Sequence, residues 1–199
     1  PKKRKKVDMD AVPLCAALHA EKPLSDSIVA DAEGNVQWAF VWVKKGAEGK
    51  GTKPSAPAVL DQKGCRYEPH VVGVMVGQDL LIRNSDEMLH NVHAMPLANK
   101  EFNVGQANKG LEEKKQFATE EVMVTVQCDV HPWMKAWIGV VSHPFFAVTD
   151  ASGKFEIKDL PDGKYTLEAW HEGYKSVAVE IEVKAGAAVQ NFELAEPKE

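Results

Sequence analysis

From Val122 to Cys128 the chain alternates strictly: Val122, Val124, Val126 and Cys128 are separated by Met123, Thr125 and Gln127. In an extended strand successive side chains point to opposite faces, so those four share one side. The strand therefore ends on a cysteine aimed into the layer it covers. A chain built around such a strand needs a second layer to bury that face, which points to packed sheets.

The rest of the chain repeats the signal. Ile28-Val29 and the turn-like Ala32-Glu33-Gly34-Asn35 precede Val36 to Val43, a β-branched and aromatic run with both faces apolar. The Gly-, Lys- and Pro-rich stretch from Lys44 to Pro57 reads as a link. Val71–Val76 and Leu80–Arg83 follow as strands, with Gly77-Gln78-Asp79 as the turn between them. Beyond Val141 a meander is expected from Phe155–Ile157, Tyr165–Trp170, the alternating Val177, Val179, Ile181 and Val183, and finally Phe192 and Leu194. Asp150–Gly153 and Pro161–Lys164 supply its hairpin turns. No helical period persists, and Leu111–Phe117, its only candidate, reads as loop. The expectation is an all-β chain of two packed sandwiches.

With 199 residues there is room for one large or two small domains. Apolar residues make up 44% and charged residues 27%, as in an ordinary globular protein. A net charge of −5 offers no electrostatic reason to bind nucleic acid. No apolar run reaches the roughly 18–20 residues of a spanning helix, so the chain is not expected to cross a membrane. The basic start PKKRKKV has the composition of a nuclear-localisation signal, but a solvated basic tail is the preferred reading. No secretory signal peptide is present, so an exported protein would have lost it.

The three cysteines are Cys15, Cys65 and Cys128. An odd count in an exported protein suggests one disulfide and one thiol with its own chemistry. Cys128 has a chemical context, which leaves Cys15 and Cys65 free to pair in an oxidising compartment. Two buried unpaired thiols, or a zinc site shared with His19 and His70, are the alternatives.

That context is Cys128-Asp129-Val130-His131-Pro132-Trp133-Met134: a thiolate, an imidazole and a thioether within seven residues. Soft sulfur with imidazole selects copper, and a His2Cys plane with a weak axial Met is the electron-transfer arrangement. A second histidine is available upstream in Asn84-Ser85-Asp86-Glu87-Met88-Leu89-His90-Asn91-Val92-His93.

These two segments resemble the cupredoxin family over about residues 58–142. NSDEMLHNVH is similar to its first-histidine segment, and CDVHPWM to its ligand loop, in a short form closest to amicyanin. The resemblance implies a Greek-key β-sandwich with copper cycling between Cu(I) and Cu(II). It implies His90, Cys128, His131 and Met134 as ligands. Asn91 would tie the His90 strand to the ligand loop and donate near the Cys128 sulfur. His93 is the competing histidine; three residues away on an extended segment, it faces the other side. The residues after 142 resemble carboxypeptidase regulatory-like (transthyretin-like) modules through TDASGKFEIKDLPDGKYTLEA.

Three segments are thus expected: a basic tail and β extension over 1–57, a copper-binding domain over 58–142, and a small second sandwich over 143–199. The expected function is electron transfer in the periplasm or outside the cell, to a redox partner protein of unknown identity. Copper storage or delivery through the same ligands is the alternative. An enzyme is disfavoured, because Met134 would fill the coordination position that catalysis needs open. The His131 ring edge is expected to be exposed, within an apolar patch of Trp133, Trp137 and Met95. A second metal site from His93, His143 and His171 competes with three separately hydrogen-bonded histidines.

Overall fold

The computed structural model describes residues 3–195 and is nearly all β. A four-residue helix, α1 (Pro13–Ala16), precedes the strands β1 (Val29–Ala30), β2 (Val36–Gln37), β3 (Phe40–Lys45), β4 (Ala58–Gln62) and β5 (Tyr67–Glu68). Then come β6 (Val71–Met75), β7 (Leu80–Asn84), β8 (His90–Met95), β9 (Phe102–Gln106) and β10 (Glu112–Lys115). The last five are β11 (Glu121–Gln127), β12 (Lys135–Val141), β13 (Phe146–Val148), β14 (Gly163–His171) and β15 (Tyr174–Val183). No helix among the described residues is long and apolar enough to cross a membrane.

The chain folds as two compact units that do not follow the three expected segments. One unit joins residues 3–26 to 54–142, and the other joins residues 27–53 to the chain from His143 onward. The stretch over 1–57 is therefore not a single extension. Its first part packs with the expected copper-binding segment, and its second part completes the C-terminal sheet.

In the first unit β10-β7-β4-β5 form a four-stranded sheet and β6-β12-β11-β8-β9 a five-stranded one. Two pairings, β4 with β7 and β6 with β12, are parallel, so the chain crosses over between sheets and does not simply meander. The period-two reading of β11 holds where it matters. Val124, Val126 and Cys128 are buried in one apolar cluster with Leu60, Ile82, Val92, Ile138 and Met134. The β11–β12 register shifts between Glu121 and Val124, the irregularity of a bulge. Glu112–Lys115, expected as loop, adds the edge strand β10. Its side chains are charged, so hydropathy carried no signal of it, and charge on an edge discourages pairing with other chains.

The N-terminal basic run is also not a free tail. The Arg4 guanidinium donates to the Ser25 carbonyl at 2.8 Å and pairs with Asp26 at 3.2 Å. Val7 N–H donates to the Pro23 carbonyl and Ser25 N–H to that of Lys5. Asp26 holds Arg66 as well, and Met9 and Cys15 are buried in the same core. Residues 3–26 thus form a closed strap on the unit; Pro1 and Lys2 lie outside the described residues.

The second unit has the sheet order β13-β3-β14-β15. The apolar run Val36–Val43 does not form one strand: Trp38 sits at φ 69°, a left-handed conformation that breaks it into β2 and β3. Val43, Tyr165, Leu167 and Val183 form the sheet's share of a core with Phe145. Ile157 and Phe192, expected on strands, pack on that core from segments without ladder pairing.

Ile138 is fully buried at the centre of the first unit. Ile138→Ala is expected to cost about 2–5 kcal/mol of that unit's stability in urea denaturation. Leu97→Ala, at a side chain 99% exposed, should stay within about 0.5 kcal/mol.

Candidate metal centre

The candidate ligands come from two adjacent strands of one sheet. β8 begins on His90, and β11 runs out at Gln127, which pairs with His93. Beyond β11 the chain turns through a tight loop, where Cys128 N–H donates to the Met134 carbonyl at 3.2 Å and Met134 N–H to the His131 carbonyl at 2.9 Å. These two bonds fold the seven residues back so that Cys128 and His131 face His90.

The donors converge. His90 Nδ1 and His131 Nδ1 are 2.9 Å apart, and Cys128 Sγ is 3.7 Å from His131 Nδ1. One donor atom from each of the three lies within 4.8 Å of the others. An ion holding two ring nitrogens at about 2.0–2.1 Å keeps them roughly 3–3.5 Å apart, so these two nitrogens, 2.9 Å apart, need only a small separation to share a metal. Burial fits too: His90 is 0% exposed, Cys128 3%, His131 2% and Met134 1%. Met134 lies in the apolar cluster that contains Cys128. A thiolate, two imidazoles and a thioether are a soft donor set suited to copper.

The ring of His90 is oriented by a residue that sequence reasoning missed. Its Nε2–H donates to Asp86 Oδ2 at 2.9 Å, which leaves Nδ1 free for a metal. Asp86 Oδ2 also accepts the Cys65 N–H, and its Oδ1 the Gly64 N–H, both at 2.8 Å. The carboxylate is held in turn by Asn84, whose Oδ1 accepts the Asp86 N–H and whose amide donates to the Met88 carbonyl. The local signal was present in Asn84-Ser85-Asp86: Asn and Asp beside a turn bond nearby backbone. What the sequence does not show is that this carboxylate, four residues before His90, reaches its ring.

Asn91 ties the strand to the loop as expected, by accepting the Asp129 N–H on Oδ1 at 2.8 Å and donating to Asp129 Oδ2 at 2.9 Å. It does not donate to sulfur. Its Oδ1 accepts from the Cys128 thiol at 3.2 Å, because both amide protons are engaged by Asp129 and Asn103. The Tyr67 hydroxyl donates to the Asn91 carbonyl, and burial raises the Tyr67 pKa, holding the phenol protonated.

Burial also lowers the His131 pKa to about 4, with the neighbouring His90 adding to the effect, so the ring is neutral and ready to ligate at ordinary pH. The expected exposed edge of His131 is absent. The ring is covered, and the half-buried Trp133 stands 5.3 Å from it, with its indole N–H on the Cys65 carbonyl. Trp137 lies within β12, paired with Thr125 and Val71. Met95 is half-buried at the end of β8.

The other expectations divide. Cys15 and Cys65 are joined as a disulfide, which removes the zinc alternative; His19 donates through Nε2 to the Gly64 carbonyl. The loop this bridge closes stabilises by about 4 kcal/mol in the chain-entropy account. His93, His143 and His171 each have protein partners: His93 bonds Asp129 and Glu101, His143 the Val43 carbonyl, and His171 the Gly173 N–H. None of them belongs to the convergent donor groups found among the described residues.

Residues 136–195 match the family model described as the carboxypeptidase regulatory-like domain. That span omits β3, the strand lying between β13 and β14. No curated protein matches the chain. Cupredoxins are among its structural neighbours. The Cu-containing nitrite reductase NirK from Thermus scotoductus SA-01 aligns at 20% identity and TM-score 0.40, over 48% of this chain. The match spans only 24% of NirK's own length. A purple cupredoxin from Nitrosopumilus maritimus aligns at 22% identity and TM-score 0.36, over 42% of this chain and 98% of its own. A Cu(I) amicyanin variant aligns at 20% identity and TM-score 0.38, over 50% of this chain and 97% of its own.

His93 offers a test of the outer network. Hydrogen bonds to Glu101 and then Asp129 raise its pKa, while the same contact lowers that of Asp129. A raised folded pKa contributes stability that is fully present below the ordinary value of about 6.5 and lost as pH rises through the folded value. Wild type is therefore expected to lose stability relative to His93→Gln as pH rises through that window, measured by urea denaturation at several pH values. Parallel curves for the two proteins would remove His93 from the network.

Proposed function

We propose that the chain carries electrons through one copper ion that His90, Cys128, His131 and Met134 would hold, in an extracytoplasmic compartment. The observation that carries this reading is the convergence of the three donors, already in place and buried, at the end of a rigid sheet. Bound there, copper would supply one-electron chemistry between Cu(I) and Cu(II). Ligands that need not move keep the reorganisation on electron transfer small. Asp86 fixes the His90 ring, Asn91 fixes the loop start, and the two backbone bonds across the loop fix His131 and Met134.

Burial of all four side chains favours a carrier over storage or delivery, which needs copper to exchange readily. It also disfavours an enzyme, since no ligand edge is open to a substrate. The disulfide supports an oxidising location. The half-buried Trp133 stands 5.3 Å from the covered His131 ring, and a redox partner protein would dock on that side.

Loading with Cu(II) should give an intense visible charge-transfer band and the narrow copper hyperfine splitting of a covalent thiolate site in electron paramagnetic resonance. Cys128→Ser is expected to abolish the band, because a hydroxyl cannot replace thiolate covalency. Intense colour retained in Cys128→Ser would sink the assignment.

His90→Ala should lose the band and regain part of it with added imidazole, which fits the gap left by the ring. His93→Ala should keep it. Loss of colour in folded His93→Ala, with colour retained in His90→Ala, would exchange the two histidines.

A further inference from the structure

The disulfide does more than close a loop, because of where its sulfurs lie. Met88 Sδ is 3.4 Å from Cys65 Sγ and 3.7 Å from Cys15 Sγ, so three sulfurs from three segments meet at one point. Both cysteine sulfurs lie within 4.8 Å of a ring nitrogen of His131, and Cys65 Sγ within 4.8 Å of an Asp86 oxygen and a His90 ring nitrogen. The cysteines are fully buried, whereas Met88 is half-buried beside the exposed Leu89. The thioether thus reaches from the surface towards the sulfurs, and the sulfurs abut the two histidines.

This arrangement meets a difficulty that the inner centre creates. Its four side chains are all buried, and a metal site needs a path by which the ion arrives. In the folded, oxidised chain Cys15 and Cys65 are joined as a disulfide and lie against His131. Every chain is made with thiols, however, and in that form Cys15, Cys65 and Met88 present two thiolates and a thioether. Such sulfur ligands select Cu(I).

We propose that Cys15, Cys65 and Met88 form a second soft-metal site in the thiol form of the chain, which takes Cu(I) beside the inner centre and is closed by disulfide formation. Closure is a thiol–disulfide exchange with an oxidised dithiol partner. The two cysteines give up their thiol protons to water when Cu(I) binds, and the bound thiolates then lose two electrons and form one S–S bond. The partner's S–S bond breaks, takes up those two electrons and two protons from water as two thiols, and the Cu(I) is released unchanged in oxidation state. The role in loading rests on the function proposed above; the sulfur site itself does not.

The test titrates the full chain with Cu(I) against a chromophoric Cu(I) chelator without oxygen, before and after reduction by a water-soluble phosphine. The disulfide form is expected to take one Cu(I) per chain and the reduced form two. Reduced Cys128→Ser should still take one, with only sulfur around the metal in X-ray absorption. Met88→Leu should weaken the second equivalent by at least about ten-fold, since losing even an outer-shell partner of a metal costs that much.

The Cys15→Ser/Cys65→Ser double variant should take one, with circular dichroism reporting its fold. Should that variant unfold, Met88→Leu in the reduced chain decides alone. A reduced chain that takes no more Cu(I) than the disulfide form overturns the proposal, as does a second equivalent that Met88→Leu leaves unchanged. A disulfide form that takes none while the reduced chain takes one would instead overturn the inner centre and leave the sulfur site standing.

Discussion

The Asp86 carboxylate is the contact on which the site end of the first unit depends. It is buried, and its two oxygens accept the Gly64 and Cys65 backbone N–H groups and the His90 ring N–H. One carboxylate therefore positions a candidate ligand and the backbone of the disulfide loop together. A buried carboxylate is stable there only because each oxygen is hydrogen-bonded. Removing it would leave two buried N–H donors unpaired and free the His90 ring to turn. The turn that presents Asp86 is built by Asn84, so the order of dependence runs from a local Asx turn, through the carboxylate, to the imidazole.

Around that contact the two sheets do what a rigid frame requires. β8 and β11 are adjacent and antiparallel, so His90 and the residues just beyond Gln127 fall at the same end of the sandwich. The core beneath is apolar and fully buried at Val92, Val124, Val126 and Ile138, which leaves the donors little freedom. The strap of residues 3–26 adds the last layer through the disulfide and through Asp26, which holds Arg4 and Arg66. Covering the candidate donors restricts solvent there.

The second unit shows a different dependence. Its sheet is incomplete without β3, which the chain delivers about a hundred residues before β13 and β14. The family match over 136–195 covers the rhythm of β14 and β15 but not this strand. Sequence proximity is no guide here, since the whole first domain after residue 53 is inserted between β3 and its partners.

Much of the candidate centre was legible in the sequence because its determinants are local. Alternation over Val122–Cys128 forced the cysteine inward, and the donor types in CDVHPWM carry their chemistry without reference to the rest of the chain. Spacing on an extended segment separated His90 from His93, and the structure turns His93 to Asp129 and Glu101. An odd cysteine count with Cys128 set apart left Cys15 and Cys65 free to pair, and the structure joins them.

Tertiary structure decided what depends on distant segments meeting. Asp86 reaches His90 and Cys65 only after the β7–β8 turn closes. The basic start becomes a strap because Ser25 and Asp26 return to it. His131, polar and in a loop, reads as exposed until Cys15, more than a hundred residues away, is brought within 4.8 Å of its ring nitrogen. A single sequence records the preferences of each segment, while burial is set by which segments come together.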